Sequence, residues 1–272
     1  MLQTVLTEEE SRFLSDYLAN HFASQSEAPL PQEAQDDFWK GVLQVSHKVG
    51  AATALNKLLL FERPVSFVDE AGVSLTLYQA CAGHIPVITL SHAGDFEALV
   101  TNLVYKGKTP ANLTATGSSF VFGKKMRLII LSKKPYSNVS AKTMGLSEAA
   151  WQEKSLKIRW EHECTHFYTK VRYGCAQNHL HDELIADFCG IYQAFGHYRS
   201  DYFLRFMGIR GSEGSRLSFY IKNASPAVFA ALKEVAEKAA RTLKSWSKSP
   251  AFARMTKEER IQWMCALQLR NM

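Results

Sequence analysis

Residues 159–190 read RWEHECTHFYTKVRYGCAQNHLHDELIADFCG, and the spacing of their polar side chains decides how the chain is to be read. His162-Glu163-Cys164-Thr165-His166 is a His-Glu-x-x-His pattern. On a helix, residues four apart lie one turn apart on the same face, so both imidazoles can point at one ion. Zinc takes neutral imidazole nitrogens and keeps a fourth position for water when the protein supplies three ligands. Glu163 follows the first histidine, so its carboxylate projects beside the ion rather than onto it. There it can accept a proton from water. Glu183, in Glu183-Leu184-Ile185-Ala186-Asp187, can complete a His/His/Glu set, a combination attested in catalytic zinc sites. Asp187, one turn further on, can accept the free N–H of a liganding histidine and fix its tautomer. His179, His181 and Asp182 lie close to Glu183 in sequence and stand as alternative third ligands.

The pattern is specific enough to build on. By chance, His-Glu-x-x-His arises in roughly 2% of shuffled chains of this composition, and requiring Glu-x-x-x-Asp shortly afterwards cuts this to roughly two in a thousand. A metzincin site would need glycine and histidine where this chain has Thr169 and Arg172. A di-iron carboxylate site would need a second Glu-x-x-His helix, and only Glu163-x-x-His166 is clear.

Outward from this stretch the apolar pattern is helical. Ser147 can cap a long helix through Trp151, Ile158 and Phe167 to about Arg172, and Asp182 or a neighbour starts another through Phe188 to about Phe195. Ser225-Pro226 opens a third, with proline at the first helical position. Its stripe is Val228, Leu232, Val235, Ala239, Leu243 and Trp246, a core-facing pattern. Thr256 and Glu259 form a capping box before a final helix, as Thr7 and Glu10 do for a first helix over residues 1–25. Residues 26–37, polar and carrying Pro29 and Pro31, read as a surface loop before a second helix from about Phe38 to Phe61.

The middle of the chain changes character. Short β-rich runs occur at Ser74–Tyr78, Pro86–Leu90, Ser118–Phe122 and Arg127–Ser132. The last two flank Gly123-Lys124-Lys125-Met126, which reads as a hairpin turn. Gly94–Glu97 and Lys134–Asn138 stand out but point to no chemistry. Gly117-Ser118-Ser119 lacks the Gly-Lys-Ser/Thr that a phosphate loop needs. The expected fold is α+β, a small mixed or antiparallel sheet followed by a mainly helical C-terminal half. Residues 1–146 hold the N-terminal helices and the β-rich segment, and residues 147–272 hold the metal site.

Composition narrows the classes. With 272 residues, 46% hydrophobic and 21% charged, the chain can bury a sizeable core and is neither disordered nor collagen-like. No run approaches the length of a membrane-spanning helix, and MLQTVLTEEESRF lacks the basic start of a secretory signal. Five cysteines (Cys81, Cys164, Cys175, Cys189, Cys265) at irregular spacing read as reduced thiols, which points to the cytoplasm. The net charge of +6 is uneven: residues 1–150 carry 13 Lys+Arg against 14 Asp+Glu, and residues 151–272 carry 19 against 12. These cations are scattered along helices with no nucleic-acid motif beside them, so a solvated basic face is expected. An anionic substrate or surface is the alternative.

The arrangement His162-Glu163-x-x-His166 with Glu183-x-x-x-Asp187 resembles that of the gluzincins, the thermolysin-like zinc metallopeptidases. It is also similar to a group of uncharacterised bacterial proteins with an HE-x-TH…DELIAD segment. The resemblance, confined to residues 162–187, implies Zn2+ held by His162, His166 and Glu183, Glu163 as general base, and Asp187 behind His162; one compact zincin-like unit is the expected fold. The family's oxyanion-steadying histidine has no motif match here, and His197, Tyr198 and Tyr202 are positional candidates. In zincins an edge strand pairs with an extended substrate, and Arg127–Ser132 is the candidate strand, an ordinary buried strand being the equal alternative. The expected function is a cytoplasmic zinc-dependent hydrolase, a metallopeptidase acting on a peptide or protein, with no membrane or nucleic-acid partner. The alternatives are a zincin-derived regulatory protein that holds metal without turnover and, motivated by charge alone, a nucleic-acid binder.

Overall fold

Runs rich in Val, Ile, Leu and Phe are stable only when their side chains are buried, and four such runs here form one mixed sheet. The computed structural model describes residues 6–22, 33–59, 64–123, 126–174, 179–211 and 216–272. Lys124-Lys125, Cys175 and residues 26–32 of the expected surface loop lie outside the described residues. In chain order the elements are α1 (Glu8–Tyr17), α2 (Glu33–Val49), α3 (Ala51–Leu58), β1 (Val73–Ala80), β2 (Gly83–Leu90), α4 (Ala93–Leu103), β3 (Ser118–Phe122) and β4 (Arg127–Ser132). Helices follow: α5 (Ala141–Met144), α6 (Glu148–Tyr173), α7 (Leu180–Phe195), α8 (Ser200–Phe206), α9 (Leu217–Tyr220), α10 (Pro226–Trp246), α11 (Pro250–Arg254) and α12 (Lys257–Ala266). The fold is α+β, with the four-stranded sheet in the N-terminal part and a mainly helical C-terminal half. No helix among the described residues is long and apolar enough to cross a membrane.

The chain divides into two compact units, residues 29–168 and residues 1–28 with 169–272. In the first, the strand order is β1-β2-β4-β3, with β2 parallel to β4 and the other neighbours antiparallel. Arg127–Ser132 is therefore an interior strand, not an edge. Both of its hydrogen-bonding sides are taken, by β2 and by β3, and all six of its residues are buried. Side chains alternate across a strand, so Ile88, Leu90, Leu128 and Ile130 fall on one face. There they join Trp39 and Val42 of α2, Leu55 of α3 and Phe96 and Leu99 of α4 in one apolar cluster. The opposite face carries Tyr78, Ser118, Phe120 and Phe122. Helix α6 packs there, with Trp160 against Tyr78 and Phe167 against Phe120 and Phe122.

Two local features depart from the sequence reading: α2 begins at Glu33, inside the stretch expected as a loop, and the second helix is interrupted. The helix expected over Phe38–Phe61 is broken into α2 and α3 at Gly50, whose φ of 84° an L side chain adopts only with strain. Gly94–Glu97, set aside above, opens α4 and is structural. Asp95, fully buried, accepts the Val68 and Asp69 amides at 2.7 and 2.9 Å.

The second unit is helical. Thr7 with Glu10 and Thr256 with Glu259 form the expected capping boxes, and Ser225 caps α10 with Pro226 in its first turn. Val228, Leu232, Ala239 and Leu243 are buried along α10. Helix α7 is buried on every side from Leu180 to Ile191, and its Phe188 meets Tyr192, Trp246 and Phe252 in an aromatic cluster.

Candidate metal centre

Helix α6 starts where Ser147 Oγ accepts the Ala150 amide at 3.3 Å. Its second half is unusual for its composition. Every residue from Glu161 to Thr169 is buried, among them Glu161, His162, Glu163, Thr165, His166 and Thr169. Polar groups withdrawn from water cost free energy unless partnered, so such a run marks a site rather than a packing surface. The Nε2 atoms of His162 and His166 lie 3.0 Å apart, as one helical turn requires.

The sheet face holds this turn in place. Ser118 Oγ, on β3, donates to Glu163 Oε1 at 2.6 Å, a short charge-assisted bond that fixes the carboxylate. Tyr136 Oη lies 3.0 Å from His162 Nδ1, orienting the ring so that Nε2 faces away from the tyrosine. Tyr136 is itself fixed, its amide donating to Ser155 Oγ at 3.0 Å. One turn before His162, the buried Arg159 guanidinium donates to the carbonyls of Ser132, Lys134 and Pro135 at 2.9, 2.8 and 3.1 Å.

In the other unit, α7 begins at His179, whose Nδ1 accepts the His181 amide at 3.2 Å. Glu183 and Asp187, one turn apart, are both buried. Arg216 serves both carboxylates: Nη2 donates to Glu183 Oε2 at 2.6 Å, and Nη1 reaches both Asp187 oxygens at 3.1 and 3.2 Å. Arg216 Nε donates to Tyr220 Oη at 2.9 Å. Burial raises the Tyr220 hydroxyl well above its ordinary value. Burial pushes Tyr17 up to about 12, with the Glu183 charge adding to the effect.

The ligand atoms of His162, His166 and Glu183 all lie within 4.8 Å of one another. This is the group among the described residues that could hold a metal ion, and all three members are buried. Two imidazole nitrogens and a carboxylate oxygen suit zinc, and their burial gives the donor set a reason to be there. The alternative ligands are occupied differently. His179 Nε2 faces His21 Nε2 at 3.0 Å and the Tyr17 carbonyl at 2.9 Å. His181 Nε2 lies 3.0 Å from the Met264 carbonyl, and Asp182 Oδ1 accepts from Thr169 Oγ1 at 3.1 Å. Burial holds both histidines down to about 4, His21 adding to the effect at His179. Cys164 and Cys189 are buried on their helices.

The oxyanion candidates are His197, Tyr198 and Tyr202, and the buried Tyr198 hydroxyl, raised well above its ordinary value by burial, also feels the Asp187 charge. His197 is exposed, with Nδ1 3.0 Å from the Phe195 carbonyl. Tyr198 packs on Phe188, and Tyr202 packs on Phe195 beneath the Arg199 guanidinium. Ser118, Tyr136, Arg159 and Arg216 were not singled out from the sequence. Tyr136 and Ser118 fall in stretches that stood out without a chemical reason, whereas nothing around Arg216 signals its role.

Fold and site together define an α+β protein with a buried His/His/Glu group able to take a metal ion. The chain belongs to a family of unknown function, DUF7005, which matches residues 123–272, 150 of the 272 residues. No curated protein and no solved structure matches the chain.

Proposed function

We propose that this protein is a cytoplasmic zinc-dependent hydrolase, a metallopeptidase acting on a peptide or protein. The observation that carries the reading is the buried His162, His166 and Glu183 group, with Glu163 one residue from the first ligand. These three residues would hold Zn2+, which supplies Lewis acidity toward a scissile carbonyl and toward water. Glu163 takes a proton from water at its carboxylate and delivers it to the leaving amine. Ser118 holds Oε1 of that carboxylate, so Oε2 is the oxygen that moves the proton. With Nε2 of His162 as the liganding nitrogen, its Nδ1–H would donate to Tyr136 Oη, 3.0 Å away. Asp187 acts behind the ligands through Arg216, which its carboxylate holds against Glu183.

A second reading, a metal-holding regulatory protein without turnover, is favoured by the placement of His197, Tyr198 and Tyr202 in other contacts. Metal analysis by elemental mass spectrometry is the first test, on wild type, His162→Ala and Glu183→Ala. The expected result is about one zinc per chain in wild type and none in either variant. A wild type that stays metal-free after incubation with zinc overturns both readings.

A further inference from the structure

Four of the nineteen cations of residues 151–272 lie together at one concavity of the helical unit. Arg199, Arg210, Arg241 and Lys244 line a cavity of about 750 Å3 formed by α8, the turn after it and α10. Two carboxylates answer these four cations. Asp201 takes two bonds from Arg199, at 3.0 Å from Nε and 2.7 Å from Nη2. Glu237 is shared by Arg210 at 3.6 Å and Arg241 at 3.1 Å. The concavity therefore keeps two positive charges in excess, a local positive field that draws counter-ions.

The guanidinium at one end is fixed before any ligand arrives. Arg199 is held by Asp201 and lies 4.1 Å from the centre of the Tyr202 ring. Ser200 and Ser245 add hydroxyl donors, so the lining recognises charge and oxygen rather than apolar surface. The volume falls in the range of small-molecule sites. A second concavity of about 510 Å3 shares Arg241 and Ser245 and adds Lys238 and the indoles of Trp246 and Trp263. These indoles stack 3.9 Å apart at 9°. The groove thus runs from guanidinium groups to an aromatic end.

We propose that this groove on α8 and α10 binds a multiply charged phosphate ligand, its phosphates at Arg199, Arg210, Arg241 and Lys244. The site shares no residue with the candidate metal centre. The test is calorimetric titration of the full chain with inorganic tripolyphosphate in EDTA, with ATP titrated in parallel. Binding should saturate, weaken at least tenfold in the Arg241→Ala/Lys244→Ala double variant, and be unchanged in Arg254→Ala and His162→Ala. Arg241 is more than half exposed, so its removal leaves the fold intact, and Arg210→Ala provides a second variant that should also weaken binding. Tighter binding of ATP than of tripolyphosphate identifies a nucleotide as the source, and equal binding identifies the bare phosphate chain; both carry the proposal. Tripolyphosphate binding that does not saturate, or that falls equally in Arg254→Ala, overturns it. So does binding of a single-stranded oligonucleotide with none of tripolyphosphate, and loss of binding in His162→Ala returns the anion to the metal centre.

Discussion

Replacing Arg216 with methionine removes the cation and keeps most of the stem volume. The guanidinium bridges Glu183 at 2.6 Å and Asp187 at 3.1 Å. Those carboxylate side chains are 5% and 0% exposed, so neither can turn to water when the cation goes. Breaking a buried ion pair by removing one partner costs about 3–5 kcal/mol. The Arg216 side chain is 18% exposed, so some water already reaches the site, and the lower end, about 3 kcal/mol, applies. That corresponds to a fall in Tm on the order of 10 °C. The assay is urea unfolding at neutral pH, in EDTA and again with zinc. If Glu183 is a metal ligand, zinc supplies the missing positive charge, and the deficit should shrink in its presence. Arg216→Lys restores a charge but not the two-pronged geometry, and should fall between the two. A deficit below about 1 kcal/mol in EDTA refutes the buried-triad argument. Equal deficits with and without zinc refute the sharing of Glu183 between cation and metal.

Glu163→Gln should retain metal and lose hydrolysis by about 100-fold or more, checked by metal analysis beside peptide turnover; retained turnover would remove Glu163 as the base. Ser118→Ala should leave metal content unchanged and lower turnover roughly tenfold, because the proton-transferring carboxylate loses its short donor. His179, held down to about 4 by burial, binds its proton more readily when the chain is unfolded. Its contribution to stability is therefore complete above about pH 6.5 and is lost as pH falls toward 4. Urea unfolding across this window should show a shallower pH dependence in His179→Asn, by up to about 1.4 kcal/mol per pH unit, and an unchanged slope counts against a buried neutral imidazole. Gly50→Ala meets nothing within 4 Å, so its cost is backbone strain alone, about 1–2 kcal/mol. A neutral result in thermal unfolding would mean that the break between α2 and α3 is not held at that φ.

What could be read in advance followed local rules. β3 and β4 match the expected runs at both ends because each is a short apolar run bounded by polar and turn residues. The capping boxes at Thr7 and Thr256 are four-residue devices and carry their own signature. The metal group was legible because two of its members are one helical turn apart and the third lies in the next helix. Its supports come from far along the chain. Ser118 is 45 residues from Glu163, Tyr136 is 26 from His162, and Arg216 is 33 from Glu183. No periodicity links such pairs; only the sheet order and helix packing bring them together. Whether β4 lies at an edge or inside the sheet stayed open for the same reason, since strand order is a long-range property. Gly50 was missed because one glycine inside an apolar helical pattern is tolerated as often as it breaks the helix.

Arg159 also bears on how a distant change reaches the site. A guanidinium leaves water only when acceptors are waiting for it, and its acceptors are the carbonyls at the end of β4 and in the two residues beyond Lys133. Gly117, just before β3, leaves the room it occupies, since a Cβ there would come within 2.5 Å of the guanidinium. The turn of α6 bearing His162 is thus tied through Arg159 to the chain that leaves β4 and to the space at Gly117. A change at Gly117, forty-five residues before His162, would therefore reach the candidate metal centre through one guanidinium.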